Sequence, residues 1–324
     1  MTGLMDRVAG APISWGVCEV PGWGHQLEPE QVLGEMARIG LSATELGPPG
    51  FLPRDPDRLR AVLRPHRLRL VAGFVPAILH LPERTDEELA RVERSADLLA
   101  AAGADVLVLA ASTGQAGYEA RAELDRGAWA SLVEGIDRAI DTAAERDLTP
   151  ALHPHHGTVI ERPHHVERLL ETSSVALCLD TGHLMVGGAD PVEVARAAAG
   201  RVAHVHLKDV SSALAEQVRT GRLGYHDAVK LGMYRPLGGG DVDVGKVVDV
   251  LVGAGYRGWY VLEQDAVLAS RPDDGSGPMR DVAAGVAFLE RIASREEDVP
   301  SAVGAAGMEM SRGRMSRDGK EGAT

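Results

Sequence analysis

The chain has 324 residues, 44% of them hydrophobic and only 4% aromatic, so it can bury a full core, one filled by Ala, Val and Leu more than by rings. That length allows one large α/β barrel or two ordinary domains. A formal net charge of −13 excludes a nucleic-acid backbone as partner and argues against docking on anionic membranes.

Along the chain a short apolar or β-branched run repeatedly ends in Gly or a polar residue, and an amphipathic stretch rich in Ala, Leu, Arg and Glu comes next. The predicted strands are 11–16, 43–46, 69–73, 106–110, 150–153, 175–180, 202–206 and 259–263. The predicted helices are 30–39, 56–64, 86–102, 126–145, 162–171, 190–199, 244–253 and 279–292. In them apolar residues recur three and four apart, as in Leu89, Val92, Ala96 and Leu99. Strict alternation implies parallel strands with helices outside. Eight units suit a closed single (β/α)8 TIM barrel over residues 1–295; an open doubly wound sheet would show a Gly-rich phosphate loop after an early strand, and there is none. No apolar run reaches the ~18 residues of a membrane span. Met1 to Gly10 lacks the apolar region of a signal peptide. Cys18 and Cys178 fit no metal-ligand spacing and are expected as reduced thiols of a cytoplasmic protein.

Two segments break the rhythm. Residues 208–243 are too long for an ordinary connection after a strand; they contain Tyr225, His226, Tyr234, Arg235 and a Gly238-Gly239-Gly240 turn, and suggest a lid. From 296 to 324 the chain is polar and rich in Gly, Ser, Arg and Met, and is expected to be a disordered tail, removable without loss of activity.

The chemistry concentrates where strands end. Eight of twelve histidines fall between His153 and His206. The fifth predicted strand ends at His153, followed by Pro154-His155-His156-Gly157. The sixth ends at Asp180, followed by Thr181-Gly182-His183. The seventh ends in His204-Val205-His206-Leu207-Lys208-Asp209, and the eighth at Glu263-Gln264-Asp265. A lone His at a strand end is usually a hydrogen-bonded surface residue, and a lone Asp before Thr-Gly is usually a helix cap. Four neighbouring strands that each deliver a metal-ligating side chain to one barrel end point instead to a metal site. Imidazole and carboxylate together suit Mn²⁺ or Co²⁺, with Zn²⁺, Fe²⁺ and Mg²⁺ as further candidates. His204 and His206 share a face, with His206 the better ligand and His204 one layer deeper. Lys208 shares that face and Asp209 points away. His164 and His165 are expected to face solvent.

At these residues the chain resembles the xylose-isomerase-like barrel superfamily, which includes sugar isomerases, ketose 3-epimerases and endonuclease IV. Ala11-Pro12-Ile13-Ser14-Trp15-Gly16, the run Glu45-Leu46-Gly47-Pro48-Pro49-Gly50-Phe51-Leu52-Pro53, and His153-Pro154-His155-His156-Gly157 resemble its inosose dehydratase branch. The resemblance covers about residues 10–292. It implies a metal held by Asp180, His206 and Glu263, with His153 where the epimerases have Glu; the first ligand is left open between His153 and His155. His183 matches a superfamily His near substrate.

The resemblance further implies dehydration of a cyclic polyol ketone of the 2-keto-myo-inositol type through a metal-stabilised enediolate. Acid and base are left open among Glu263, His155, His183 and Lys208. Trp15 and Glu45 would line the opposite wall, and Arg235 would bind substrate from the lid. The rivals are a ketose isomerase or epimerase on the same scaffold, a non-catalytic sugar-binding barrel, and a DNA repair enzyme, which the acidic charge opposes. The expected partner is a small polyol or sugar, with no nucleic acid and no membrane; a homo-oligomer is left open.

Overall fold

In the computed structural model, which describes residues 3–297, eight parallel strands close into a barrel and helices surround it. The expected tail lies, from residue 298 on, outside the described residues. The barrel strands are β1 (Val8–Gly10), β2 (Ala43–Glu45), β3 (Arg69–Ala77), β4 (Val106–Ala111), β5 (Thr149–Leu152), β6 (Ala176–Asp180), β7 (Val202–Leu207) and β10 (Tyr260–Leu262); β1 pairs with β10 to close the ring. The outer helices are α1 (Pro29–Arg38), α2 (Pro56–Leu63), α3 (Pro82–Ala102), α4 (Arg126–Ala144), α5 (Pro163–Thr172), α7 (Pro191–Ala198), α10 (Val244–Gly253) and α11 (Pro278–Glu297). Among the described residues no helix is long and apolar enough to cross a membrane.

Local chemistry sets these boundaries. The carboxylates of Asp55, Asp125, Asp190 and Asp243 accept backbone N–H groups in the first turns of α2, α4, α7 and α10. Gly103 ends α3 at φ 85°, a left-handed position that favours glycine.

Side chains alternate across each strand. In β4, Leu107 and Leu109 join the large core between sheet and helices, whereas Val106 and Val108 belong to a separate inner cluster with Ala72, Ala151 and Cys178. Ala9, Ala43, Val71 and Val261 form a second inner cluster. The lower barrel is therefore filled by small residues. Two positions further along the same inward rows stand His153, Asp180, His206, Glu45 and Glu263, at the end where the strands finish. This explains how a core so poor in rings holds so many buried polar groups.

Three sequence expectations need correction. The first strand is Val8–Gly10, not 11–16: Pro12–Trp15 form a 3-10 turn that closes at Gly16, φ 76°. Pro12 offers no N–H to a ladder, which disfavours a central strand there. The segment after β7 is not one irregular loop. It forms a hairpin of β8 (Asp209–Val210) with β9 (Tyr234–Arg235), and two short helices, α8 (Ser212–Arg219) and α9 (Tyr225–Lys230). His165 is buried, unlike the exposed His164. Its Nδ1 accepts the N–H groups of Glu161 and Arg162 at 3.4 and 3.3 Å, where α5 begins.

Asp209 points away from the site, as expected, and organises the glycine turn. Its carboxylate accepts the N–H groups of Val210, Gly238, Gly240 and Val242 at 2.8–3.0 Å. Asp209→Asn turns an amide donor toward some of these donors. It is expected to cost about 2–3 kcal/mol of stability, the penalty of buried donors left unmatched, as read from urea unfolding. A wild-type midpoint would contradict this role.

Candidate active site

Asp180 ends β6 and caps α6 (Thr181–Gly187) at once. Its Oδ1 accepts the N–H groups of Gly182 and His183, both at 2.8 Å. Its Oδ2 faces His153 Nε2 at 3.2 Å, His206 Nδ1 at 3.4 Å and Lys208 Nζ at 3.5 Å. The cap therefore orients the oxygen that faces the site. The residues after it have packing reasons. The Thr181 hydroxyl donates to the Lys208 carbonyl at 2.6 Å and accepts the Lys208 N–H at 2.8 Å, tying α6 to the end of β7. A Cβ on Gly182 would stand 2.6 Å from Lys208 Cβ, so only glycine lets that lysine pass.

His206 turns its two nitrogens to different tasks. Nε2 lies 3.0 Å from Glu45 Oε1, which also lies 2.7 Å from His204 Nε2. An N–H on Nε2 is thereby directed at Glu45, which leaves Nδ1 as the nitrogen that could take a metal. That Nδ1 is buried without a hydrogen bond among the described residues. It faces Asp180 Oδ2 at 3.4 Å and Glu263 Oε2 at 3.3 Å. Ligand atoms about 2.1 Å from one ion stand roughly 3.0–3.4 Å apart, so both separations from His206 match those of metal ligands, with all three ligand atoms within 4.8 Å of one another and Glu45 behind the histidine. Charge agrees: Glu45, Asp180, Glu263 and Asp265 are all buried and Lys208 is the ammonium among them, an excess of negative charge that a divalent cation relieves. His153 Nε2 stands beside Asp180 and its ring lies 4.8 Å from His206, so it rather than His155 borders the trio.

Above this trio lies a hydrogen-bonded layer. Lys208 Nζ reaches Asp265 Oδ1 at 2.7 Å, Glu263 Oε2 at 2.9 Å and His183 Nε2 at 3.1 Å. Burial alone would favour loss of its proton, but Asp180, Asp265 and Glu263 reverse this and hold Lys208 well above its usual range. Burial pushes Glu263 up. The rings of His155 and His183 lie 3.7 Å apart. Burial first, then neighbouring rings and Lys208, keep both well below the usual histidine range, and burial brings His153 down to about 4.

These shifts imply acid sensitivity in the metal-free protein. The unfolded chain takes up protons on the three rings near the ordinary value of 6.5, while the fold holds them off until about 4 at His153. Protons therefore favour the unfolded chain, and stability falls as pH drops through that window. His206, held up against burial by Cys178, Glu263 and Glu45, runs the other way, as does Glu263, raised by burial. With His204 also held down by burial, the four depressed rings outnumber these two, so thermal unfolding is expected to come earlier at pH 5 than at pH 7. An unchanged or higher midpoint at pH 5 would contradict the arrangement.

Several residues sit differently from the sequence expectation. Glu45 does not form a pocket wall; it crosses the barrel to brace His204 and His206. Trp15 is fully buried and its indole N–H donates to Glu35 Oε2 in α1 at 2.7 Å, so it anchors its turn to the outer helix. Arg235 is exposed, because β9 alternates and turns Tyr234 inward instead.

Tyr225, His226 and Tyr234 come from the segment whose length suggests a lid, whereas Trp23 and Tyr118 carry no signal of a role in the sequence. Tyr225 donates to Asp265 Oδ2 at 2.7 Å and shares a 2.9 Å hydrogen bond with Tyr234. Trp23, Tyr118 and Tyr225 meet with ring centroids 5.0–6.4 Å apart, and His226 Nε2 bonds the Trp23 carbonyl at 2.8 Å. This cap joins loops after β1, β4 and β7. A groove of about 570 Å³ lined by Asp190, Arg196 and Arg219, and a hollow of about 370 Å³ lined by Ala254 and Gly258, lie elsewhere on the molecule. The length of the segment 208–243, with the aromatic residues in it, is the feature of the sequence that suggests such a cap.

Comparison with known proteins agrees with this geometry. A family model described as xylose isomerase-like TIM barrel matches residues 33–292. An inosose dehydratase of Geobacillus kaustophilus (strain HTA426) is 34% identical over 276 residues, covering 81% of this chain and 89% of that protein. A solved structure titled L-ribulose 3-epimerase superposes with a TM-score of 0.67 at 18% identity, over 92% of this chain and 99% of that one. Another, titled the probable 3-DHS dehydratase AsbF from Bacillus anthracis, gives 0.65 at 16% identity, over 88% and 98%. At such identities the two structures speak for the fold alone. The chain belongs to the xylose isomerase-like TIM barrel family.

Proposed function

We propose that this protein is a metal-dependent hydro-lyase that removes water from a cyclic polyol ketone of the 2-keto-myo-inositol type. The observation that carries the reading is the asymmetry of the site. Lys208 bridges the carboxylate of Glu263 and the imidazole of His183, whose ring lies 3.7 Å from that of His155 and beside His153, so the groups gathered here are unlike in basicity. Epimerisation needs two groups of matched basicity, one on each face; elimination needs one group that takes a proton and another that gives one. The relative named inosose dehydratase, 34% identical over most of both chains, supports the same reading.

Asp180, His206 and Glu263 would hold the ion, with His153 at their margin and Mn²⁺ or Co²⁺ favoured by the mixed donors. When bound, a divalent metal supplies Lewis acidity toward the ketone oxygen and acidifies the neighbouring C–H. Glu263 takes the proton from that carbon on a carboxylate oxygen, the burial that raises its pKa making it a better base. Lys208 holds Glu263 and Asp265 in place and offsets their charge. Trp23, Tyr118 and Tyr225 exclude water, and their ring faces suit the C–H face of a cyclic substrate.

Incubation with 2-keto-myo-inositol and Mn²⁺ or Co²⁺ tests the reading. Growth of the ultraviolet absorbance of a conjugated or diketone product is expected. Substrate that persists unchanged with every metal offered would refute it.

A further inference from the structure

We infer that His156 and Glu161 form a second catalytic dyad in this site, with His156 Nε2 giving the proton to the hydroxyl that leaves as water. The inference rests on the dehydration proposed above. It begins from a problem that the other candidates leave. Lys208 directs its N–H groups at Asp265, Glu263 and His183, so none is left for a substrate hydroxyl. His155 Nδ1 is taken up by the His156 carbonyl at 2.7 Å, and His183 Nε2 by Lys208 at 3.1 Å.

His156 is built differently. Its Nδ1 lies 3.0 Å from Glu161 Oε1, and both side chains are buried. The other oxygen of Glu161 accepts the Gly157 N–H at 3.4 Å. Burial disfavours the Glu161 carboxylate, but its hydrogen bond with His156, with Arg121 nearby, holds it ionised. A carboxylate at Nδ1 orients the ring and leaves Nε2 as its working nitrogen, the arrangement of a histidine acid–base group. His156 Nε2 is buried without a hydrogen-bond partner among the described residues. A buried polar atom left unmatched is costly, and a ligand hydroxyl would satisfy it.

The dyad is also tied to the site. The His156 ring stacks on Tyr225 at 4.6 Å and 17°, and the Tyr225 hydroxyl reaches Asp265, whose other oxygen holds Lys208. The His156 N–H donates to His183 Nδ1 at 3.4 Å, and its carbonyl lies 2.7 Å from His155 Nδ1. In the first step the C–H bond breaks: Glu263 takes the proton and the electron pair moves toward the ketone, giving an enolate. In the second step the C=O bond re-forms, the electron pair makes the new C=C bond as the C–O bond breaks, and the departing oxygen takes the proton from His156 Nε2 and leaves as water. Glu263 returns its proton to solvent and His156 regains one.

The test compares wild type, His156→Gln and Glu161→Gln, all metal-loaded, by NMR in D₂O. The substrates are 2-keto-myo-inositol and an analogue with fluorine in place of the leaving hydroxyl, since fluoride departs with less need of a proton. His156→Gln is expected to slow water loss by about 100-fold or more while deuterium exchange at the carbon beside the ketone continues near the wild-type rate and fluoride release is largely preserved. Glu161→Gln is expected to slow water loss by about 10–100-fold, and provides the same comparison if His156→Gln fails to fold. Water loss at the wild-type rate in both variants, or equal loss of exchange, water release and fluoride release, would overturn the dyad alone. Wild-type protein that exchanges deuterium without ever losing water would overturn the dehydration reading, and the dyad with it.

Discussion

Asp180→Ala is expected to abolish metal binding and to reduce turnover by about three orders of magnitude or more. A divalent metal held there would supply several kcal/mol of charge stabilisation, and each 1.36 kcal/mol corresponds to about tenfold in rate. The same loss is expected on exhaustive chelation of the wild type, with Mn²⁺ or Co²⁺ restoring activity to the wild type but not to the variant. The reason lies in the double use of Asp180. One oxygen caps α6 and the other faces His153, His206 and Lys208. Asp180→Asn separates the two functions, because its amide oxygen can still cap the helix. It is expected to fold near the wild-type midpoint and still lose the metal. Full activity in protein shown by elemental analysis to be metal-free would refute this.

Lys208→Met is expected to be the most destabilising single change in the site. It keeps most of the stem volume and removes the ammonium from among Asp180, Glu263 and Asp265, leaving three buried carboxylates without their shared cation. Breaking a buried ion pair by deleting one partner costs about 3–5 kcal/mol, so the metal-free variant is expected to unfold at clearly lower temperature. The pH dependence has a sign. Without Lys208 the carboxylates titrate at higher pH in the folded state, so acid relieves their repulsion. The deficit relative to wild type is largest near neutral pH and shrinks toward pH 4. Lys208→Arg is not expected to rescue activity, because the lysine stem passes close to Gly182 and a guanidinium cannot occupy the same channel. A deficit that grows in acid would contradict this assignment.

The period-two alternation of β-strands made much of the site legible. It placed His153, Asp180, His206 and Glu263 on inward rows at one end of the barrel, and the structure brings them together there. It also put Asp209 outside and His204 below His206. What it could not supply was pairing across the barrel. Glu45 meets His204 from 159 positions away, and nothing in the local pattern of Ala43-Thr44-Glu45 distinguishes a brace from a wall. Trp15 is not the wall residue its position suggests, because the apolar run 11–16 resembles a strand, while Pro12 and the left-handed Gly16 form a turn that sends the indole outward to Glu35. Tyr118 comes from a loop without periodicity. Among the clustered histidines, spacing alone does not tell His155, packed against His183, from His156, bonded to Glu161.

The most direct test of the central claim is proton NMR of 2-keto-myo-inositol in D₂O with the metal-loaded wild-type protein. The account predicts loss of the proton beside the ketone together with loss of the neighbouring hydroxyl, and accumulation of an unsaturated or diketone product. Deuterium incorporation with inversion of configuration, and every hydroxyl retained, would contradict it and assign the barrel to epimerisation.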